Sequence, residues 1–161
     1  TVKLRVVVKP NVDKGTYNEK AVKEFVKALN KARVAAGVNE VVITPEAQAW
    51  AETRAKQLHE FKFSHELPEG FEDEFTGECI YLLGSGSSGY RIWDGFENSP
   101  LHRSSLLTPN ITEFGVGIYV YGHRMFVATL YRENNNDPAL DGTETSWEEE
   151  DARWDALEGY E

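Results

Sequence analysis

The side chains best suited to chemistry in this 161-residue chain are a few histidines and acids in its central part. Its four histidines form no local ligand motif of the kind in which two histidines share one helical turn. Imidazole and carboxylate groups are nevertheless the groups that bind zinc and act as general acids and bases. Their chemistry depends on the elements that would bring them together.

Nucleophilic and phosphate chemistry has weaker support in the sequence. Cys79 is the single cysteine, which excludes an intrachain disulfide without excluding secretion. A lone cysteine is more often a small buried residue than a nucleophile. Ser104 and Ser105 lie beside His102, but the Gly-x-Ser-x-Gly elbow of serine hydrolases is absent. The glycine-rich residues 84–89 lack the Lys-Ser/Thr of a phosphate-binding loop.

The net charge of -10 belongs to the C-terminal part of the chain. Residues 1–132 hold 16 Lys+Arg and 16 Asp+Glu, whereas residues 133–161 hold 11 acids and Arg153. The neutral body predicts no double-stranded nucleic acid partner, because phosphate binding needs a clustered basic face. No apolar run approaches the ~18 residues that span a bilayer, so we also expect no transmembrane segment.

Hydrophobic periodicity predicts the elements of the N-terminal half. Alternating apolar residues from Val2 to Val8 predict a half-buried strand, and residues 10–18 have the composition of a loop. Residues 19–36 carry a helical apolar stripe that Gly37 would end. The sequence Thr44-Pro45-Glu46 predicts the start of a second helix that runs to about Phe61.

The C-terminal half of the body alternates turn residues with short apolar runs. The patterns predict a strand at residues 77–83, helices at residues 90–98 and from Ser99-Pro100 to Pro109, and a hairpin of residues 114–121 and 125–131 joined at Gly122-His123-Arg124. A strand, then helices, then a hairpin predicts an α+β domain whose antiparallel sheet is covered by helices.

Several segments, in this order, resemble the motifs of the CAP superfamily in its bacterial, SCP-like form. This superfamily is named for cysteine-rich secretory proteins, antigen 5 and plant pathogenesis-related proteins. The matching segments are residues 29–33, 47–58, 63–65, 77–80, 93, 99–107, 114–117 and 126–130. The resemblance covers residues 20–132 and implies the family's fold, a three-layer α/β/α sandwich with a central antiparallel sheet.

The resemblance also implies a division of the chain. Residues 19–132 correspond to the CAP-like domain, residues 1–18 are expected to add an N-terminal strand and loop to it, and residues 133–161 form an acidic tail. Family members of this kind imply an extracellular or cell-surface location, although no signal peptide is recognisable in the chain.

In the family, two histidines and acidic partners line a central cleft that can hold a divalent metal. The resemblance places His65 and His102 as ligands of zinc or another divalent metal and Glu78 as the acid that supports the cleft. Glu97, four residues after Trp93, is the candidate for a second supporting acid. Glu78 and Glu97 are also the candidates for a catalytic base. Cys79 stands where the family motif has asparagine.

Three functions remain open from the sequence. The favoured one is a secreted or surface-associated module that acts mainly by binding a small ligand or protein, with a divalent-metal site in the central cleft. The second is a metal-dependent hydrolase in which Glu78 or Glu97 activates a metal-bound water. For His65 and His102, a purely structural role near Glu78 is the alternative to a metal site, and His123 is expected at a hairpin turn outside the site.

The third function is assembly or interaction through the acidic tail. Residues 146–149 have the form of a capping box and predict an amphipathic helix at residues 146–158. Trp147, Trp154 and Leu157 fall near one face of this helix and are the predicted partner-binding residues. They would pack on their own domain, near the lysine-rich first helix, or on a partner in an oligomer.

Overall fold

The structure is a computed structural model that describes residues 15–72 and 74–134. The described elements, in chain order, are β1 (Thr16–Tyr17), α1 (Glu19–Ala35), α2 (Pro45–Glu60), β2 (Gly77–Gly84), α3 (Gly89–Glu97), α4 (Pro100–Leu106), β3 (Ile111–Tyr121) and β4 (Arg124–Glu133). The strand predicted at residues 2–8 and the helix predicted at residues 146–158 lie outside the described residues.

The described strands form one antiparallel sheet in the order β1-β3-β4-β2, so β2 is an edge strand of this sheet. Helix α2 packs on one face, and helices α1, α3 and α4 pack on the other. Alternation within β2 serves both layers, because Ile80 faces the α2 side while Cys79 and Leu83 face the other core. The α+β three-layer α/β/α sandwich is therefore confirmed.

Two glycines of β3 allow α2 to lie close to the sheet. A Cβ atom on Gly115 would lie 2.3 Å from the carbonyl oxygen of Ala47, and one on Gly117 would lie 2.3 Å from that of Ala51. Both alanines are fully buried in the contact. The side-chain amide of Gln48 bonds both backbone polar groups of Val116, donating to its carbonyl at 2.8 Å and accepting from its N–H at 2.9 Å. Helix α2 and strand β3 are thereby held together by the Gln48 hydrogen bonds as well as by close packing of the two backbones.

The helix starts follow local chemistry, with small corrections to the predicted bounds. α2 begins at Pro45 as predicted, but Thr44 makes no side-chain cap bond, so the fixed φ of proline accounts for this start. α3 begins one residue before the predicted position, because Ser88 Oγ accepts from Arg91 N at 3.1 Å. Gly89 can then enter the first turn, where a Cβ would lie 2.0 Å from the carbonyl oxygen of Ala21 on α1.

The predicted hairpin is confirmed, and its strands are longer than the apolar runs that predicted them. Tyr121 pairs with Arg124, which leaves a two-residue turn with Gly122 at a φ of 63°. The extra residues at the start of β3 are the buried Ile111 and the polar Thr112 and Glu113, and the register shifts between Ile111 and Glu113. The loop predicted at residues 10–18 was wrong at its end, since Thr16–Tyr17 form β1. A two-residue strand is too short to show the alternation of apolar and polar residues that predicts a strand.

Candidate functional site

Three charged or titratable side chains, from α2, β2 and the segment between them, meet at the start of β2. Arg54 of α2 donates from Nε to Glu78 Oε2 at 2.6 Å and from Nη2 to Glu78 Oε1 at 3.1 Å. His65, in the segment after α2, has its Nδ1 atom 2.7 Å from Glu78 Oε1. The carboxylate therefore lies between the guanidinium and the imidazole. We call these three residues the Arg54–Glu78–His65 cluster.

The local fold explains why these side chains converge. Arg54 shares the buried face of α2 with Ala47, Ala51, Ala55 and Leu58, which point at the sheet. Glu78 precedes Ile80 by two residues, so its side chain leaves β2 on the same, α2-facing side.

Arg54 also fixes the segment that carries His65. Its Nη2 donates to the carbonyl oxygen of Ser64 at 3.0 Å, and its Nη1 donates to Gln57 Oε1 at 3.0 Å. One guanidinium thus binds its own helix, the neighbouring strand and the residue before His65. The position of the imidazole is set by this arginine as much as by Glu78.

The cluster is buried on one side and reaches solvent on the other. The exposed fractions of the side chains are 0% for Arg54, 15% for Glu78 and 22% for His65. Burial by itself would raise the pKa of Glu78, but hydrogen bonds from His65 and Arg54 and the charge of Arg54 outweigh it and lower that pKa. Glu78 is therefore ionised at neutral pH, and His65 has the most exposed side chain of the three, although its Nε2 atom is itself buried.

His102 lies in the other helical layer. It is fully buried on α4, where its Nδ1 atom is 2.9 Å from Ser99 Oγ and its ring centroid is 4.9 Å from that of Phe96. α4 packs against β2 and α3, whereas His65 approaches β2 from the α2 side. Because β2 is an edge of the described sheet, a cleft shared by the two histidines would have to run around that edge.

The contact between His65 and Glu78 would suit a metal-binding imidazole. A carboxylate on Nδ1 of His65 is the arrangement that orients metal-binding imidazoles in many proteins. Within residues 15–72 and 74–134, however, no three His, Cys, Asp or Glu side chains are grouped so as to hold a metal ion. A divalent cation would therefore depend on the two imidazoles, with its remaining ligands coming from water or from outside these residues.

The other predicted site residues are more dispersed. Glu97 is exposed at the end of α3, four residues after the buried Trp93. Cys79 is completely buried in the core of the α1, α3 and α4 layer, as expected for a packing residue. His123 is exposed in the hairpin turn, as predicted. The predicted partner-binding residues Trp147, Trp154 and Leu157 lie outside the described residues.

Arg54 is the site residue that sequence reasoning missed. Its signal was present, because an arginine occupies the apolar stripe of an alanine-rich helix between Ala51 and Leu58. A charge on such a stripe needs a buried partner. The partner, Glu78, is 24 residues away and becomes evident only when the strand is placed against the helix.

Comparison with known proteins gives a family match for most of the chain. Residues 26–131 match the cysteine-rich secretory protein family, CAP. No curated protein matches the chain. Within the described part of the chain, no helix is both long and apolar enough to cross a membrane.

Solved structures share the fold at low sequence identity. An outer surface protein from Borrelia burgdorferi is 17% identical with a TM-score of 0.59, over 74% of this chain and 99% of that one. An extracellular protein containing an SCP domain from Bacillus anthracis is 18% identical with a TM-score of 0.57, over 83% and 45%. A cysteine-rich secretory protein from Staphylococcus aureus is 16% identical with a TM-score of 0.51, over 71% and 40%. The chain thus spans nearly all of the Borrelia protein and less than half of the other two.

Proposed function

The chain belongs to the cysteine-rich secretory protein (CAP) family, and we propose that it is a binding module that acts outside the cell or at the cell surface. The location is supported by the descriptions of the structurally similar proteins, which are an outer surface protein and an extracellular protein. The binding site we propose is the Arg54–Glu78–His65 cluster together with the edge of β2 toward His102.

The pairing of Glu78 supports binding rather than hydrolysis. A general base must accept a proton from water, and it works best with a pKa near the operating pH. Both oxygens of Glu78 already accept hydrogen bonds, and the pKa of the group is lowered. This carboxylate is thus arranged to hold Arg54 and His65 in position, which is what a preorganised binding site requires.

Turnover measurements separate the binding module from the hydrolase alternative. We expect the full chain and Glu78→Gln to leave peptide, ester and nucleotide substrates unhydrolysed, with and without added zinc. Glu97→Gln is measured in parallel, because Glu97 is the other acid that could serve as a base. Zinc-dependent hydrolysis that Glu78→Gln or Glu97→Gln abolishes would establish an enzyme and overturn the proposal.

The metal part of the proposal assigns a divalent cation, tested as zinc, to His65 and His102. It is supported by the carboxylate that orients His65, since such pairs raise the basicity of a ligating imidazole. Calorimetric titration with zinc should give binding heat for the wild type and at least about tenfold weaker binding for His65→Ala, His102→Ala and Glu78→Gln. His123→Ala, at the exposed turn, should titrate like the wild type.

Because His102 is completely buried, His102→Ala needs a folding control. Zinc that binds the native state raises its melting temperature. Thermal unfolding with and without zinc therefore reports binding without relying on the calorimetric heats, and it also shows whether each variant is folded. Equally small heats and no thermal shift in the wild type and all variants would remove the metal from the proposal.

The location is tested by antibody detection in the culture medium and on intact source cells, and confinement to the cytosol would overturn it.

A further inference from the structure

Four lysines form a continuous charged stripe on the outer face of α1. Lys20, Lys23, Lys27 and Lys31 are all exposed and follow one another at intervals of three, four and four residues, which places them on one side of the helix. Val34, 58% exposed, continues the stripe because it lies three turns after Lys23. We call these four lysines and Val34 the lysine face.

The lysines of this face form no close ion pair in the described part of the domain, and Glu24, one turn after Lys20, accepts instead from Gly89 N at 3.0 Å. Within residues 15–72 and 74–134, no carboxylate forms an ion pair with any of the four lysines. The opposite side of α1 is buried through Phe25 and Leu29, so the helix cannot turn its charges elsewhere. Residues 1–132 are neutral as a whole, but this face concentrates four positive charges within about 17 Å of helix.

The chain leaves the domain beside one end of this face. Asn134 N donates to the carbonyl oxygen of Asn110 at 3.0 Å, and Asn110 N donates to Asn39 Oδ1 at 3.0 Å. Asn39 in turn accepts from Arg33 near the end of α1 through its carbonyl oxygen and its Oδ1 atom. Residues 135–161 therefore continue from a point connected by hydrogen bonds to the C-terminal end of α1.

We propose that the lysine face binds the acidic C-terminal segment, residues 135–161, of the same chain. That segment carries ten acids and a single basic residue, Arg153, so its charge complements the lysines. It is also long enough, because α1 is about 25 Å long and roughly eight extended residues cover that distance. Exposed Val34 at the near end offers an apolar contact for Trp147 or Trp154.

Attachment to the same chain favours this occupant over a separate acidic molecule. A tethered segment reaches its site at an effective concentration of the order of millimolar, which a free partner would have to exceed. In this arrangement the acidic segment shields the lysine face from other anions. An acidic ligand of the domain would have to displace the segment, and the affinity for it would rise once the segment was removed.

Zero-length cross-linking of the full chain tests the contact directly. A carbodiimide joins carboxylates to amines that touch, and mass spectrometry identifies the pairs. At about 0.01 M salt, where charges are screened over roughly 30 Å, acids of residues 135–161 should join Lys20, Lys23, Lys27 and Lys31. At about 1 M salt, where the screening length is roughly 3 Å, the yield of these pairs should fall several-fold.

Lys56 and Lys62 are the internal controls, since they lie on and just after α2 and pair with Glu60 and Glu66. Equal linkage of the acidic segment to these two lysines and to the lysine face would overturn the proposal. Mixing light and isotope-labelled protein before the reaction identifies the source of the acids. Pairs between light and labelled copies in place of pairs within one copy would also overturn it, in favour of a second copy.

A lysine-free face provides a second measurement. A variant with Lys20, Lys23, Lys27 and Lys31 all changed to Gln should keep the helix, because glutamine and lysine have similar helix propensities. A glutamate-specific protease should then cut after Glu148, Glu149 and Glu150 several-fold faster than in the wild type. A Lys56→Gln/Lys62→Gln variant should match the wild type. Equal cleavage rates in all three proteins would contradict the proposed contact.

Discussion

Arg54 and Glu78 form a two-point ion pair inside the domain, with Nε to Oε2 at 2.6 Å and Nη2 to Oε1 at 3.1 Å. The arginine lies on α2 and the glutamate on the edge strand β2, so this one pair joins two layers of the sandwich. Because the same guanidinium also bonds Ser64 and the same carboxylate also contacts His65, a change in either charge alters the position of the imidazole. The stability of the domain and the position of the imidazole are therefore coupled at this pair.

Removing the arginine should be strongly destabilising. In Arg54→Met the methionine fills much of the space, but Glu78 keeps a largely buried charge without its main partner. Breaking a buried pair in this way costs about 3–5 kcal/mol, and the 15% exposure of Glu78 places the expected loss at the lower end. Denaturation in urea, followed by circular dichroism, measures the change in the free energy of unfolding.

The double variant Arg54→Met/Glu78→Leu supplies the control, because it removes both charges. It should recover part of the loss, since a buried ion pair can often be replaced by apolar side chains at small cost. Lys56→Met breaks an exposed pair with Glu60 on the same helix and should cost less than about 1 kcal/mol. If Arg54→Met were no more destabilising than Lys56→Met, the pair would not hold the layers together.

The close approach of α2 to β3 predicts a sharp difference between two groups of glycines. Gly115→Ala and Gly117→Ala each place a methyl group 2.3 Å from a backbone carbonyl oxygen of α2, which cannot rotate away as a side chain could. Overpacking of this kind costs about 1–3 kcal/mol or more. Gly86→Ala, which meets open space, should leave the free energy of unfolding nearly unchanged. Equal effects at Gly86 and Gly117 would show that the helix moves aside freely.

Asn39 connects α1 to the start of β3, and its side chain should contribute more to the free energy of unfolding than its exposed position suggests. Its Oδ1 accepts from Asn110 N and Arg33 Nη2, and its Nδ2 donates to the carbonyl oxygen of Ile111. Asn39→Ala removes these bonds and leaves the buried guanidinium of Arg33 with fewer acceptors, so we expect a loss of about 2 kcal/mol. Asn98→Ala, which loses a single bond to its own helix, should cost less. Equal losses in urea denaturation would contradict this role.

How much of the fold the sequence predicts depends on whether the residues that determine each element are close together in the chain. The helical stripe of α1 and the glycine turn at Gly122 are set by residues within one element, and both predictions hold. β1 was missed because the described partner of its two residues, Thr16 and Tyr17, is β3, more than 100 residues later. The same limit applies to Arg54, whose partner is supplied by tertiary structure.

For the candidate site, the motifs identified residues but could not give their contacts. Spacing alone did not group His65 with Glu78, and the structure joins them at 2.7 Å through a loop that Arg54 holds. His102 was grouped with them by resemblance, yet it lies in the other helical layer against Phe96. The side of the sheet on which each histidine lies is decided by the packing of whole helices. No local sequence pattern predicts it.

The titration of the buried Tyr131 should lower the stability of the domain at alkaline pH. It is buried in β4, with its hydroxyl 2.7 Å from Ser105 Oγ and 3.4 Å from Thr108 Oγ1. Burial, with a smaller contribution from nearby Cys79, raises the pKa of Tyr131 from 10.0 to about 12. The native state therefore holds the phenol proton more tightly than the unfolded chain does. The stabilisation is complete below about pH 10 and is lost as the pH rises toward about 12.

The variant Tyr131→Phe isolates this effect from other alkaline titrations. Near neutral pH it should cost about 1 kcal/mol, because Ser105 loses its hydrogen-bond partner. Between about pH 9 and 11.5 the wild type should lose up to roughly 2 kcal/mol more than the variant, since two pKa units correspond to at most about 2.7 kcal/mol. Tyr90→Phe, at an exposed position on α3, should follow the wild type. Urea denaturation across this range measures all three, and parallel curves for the wild type and Tyr131→Phe would show that Tyr131 is not the titrating group.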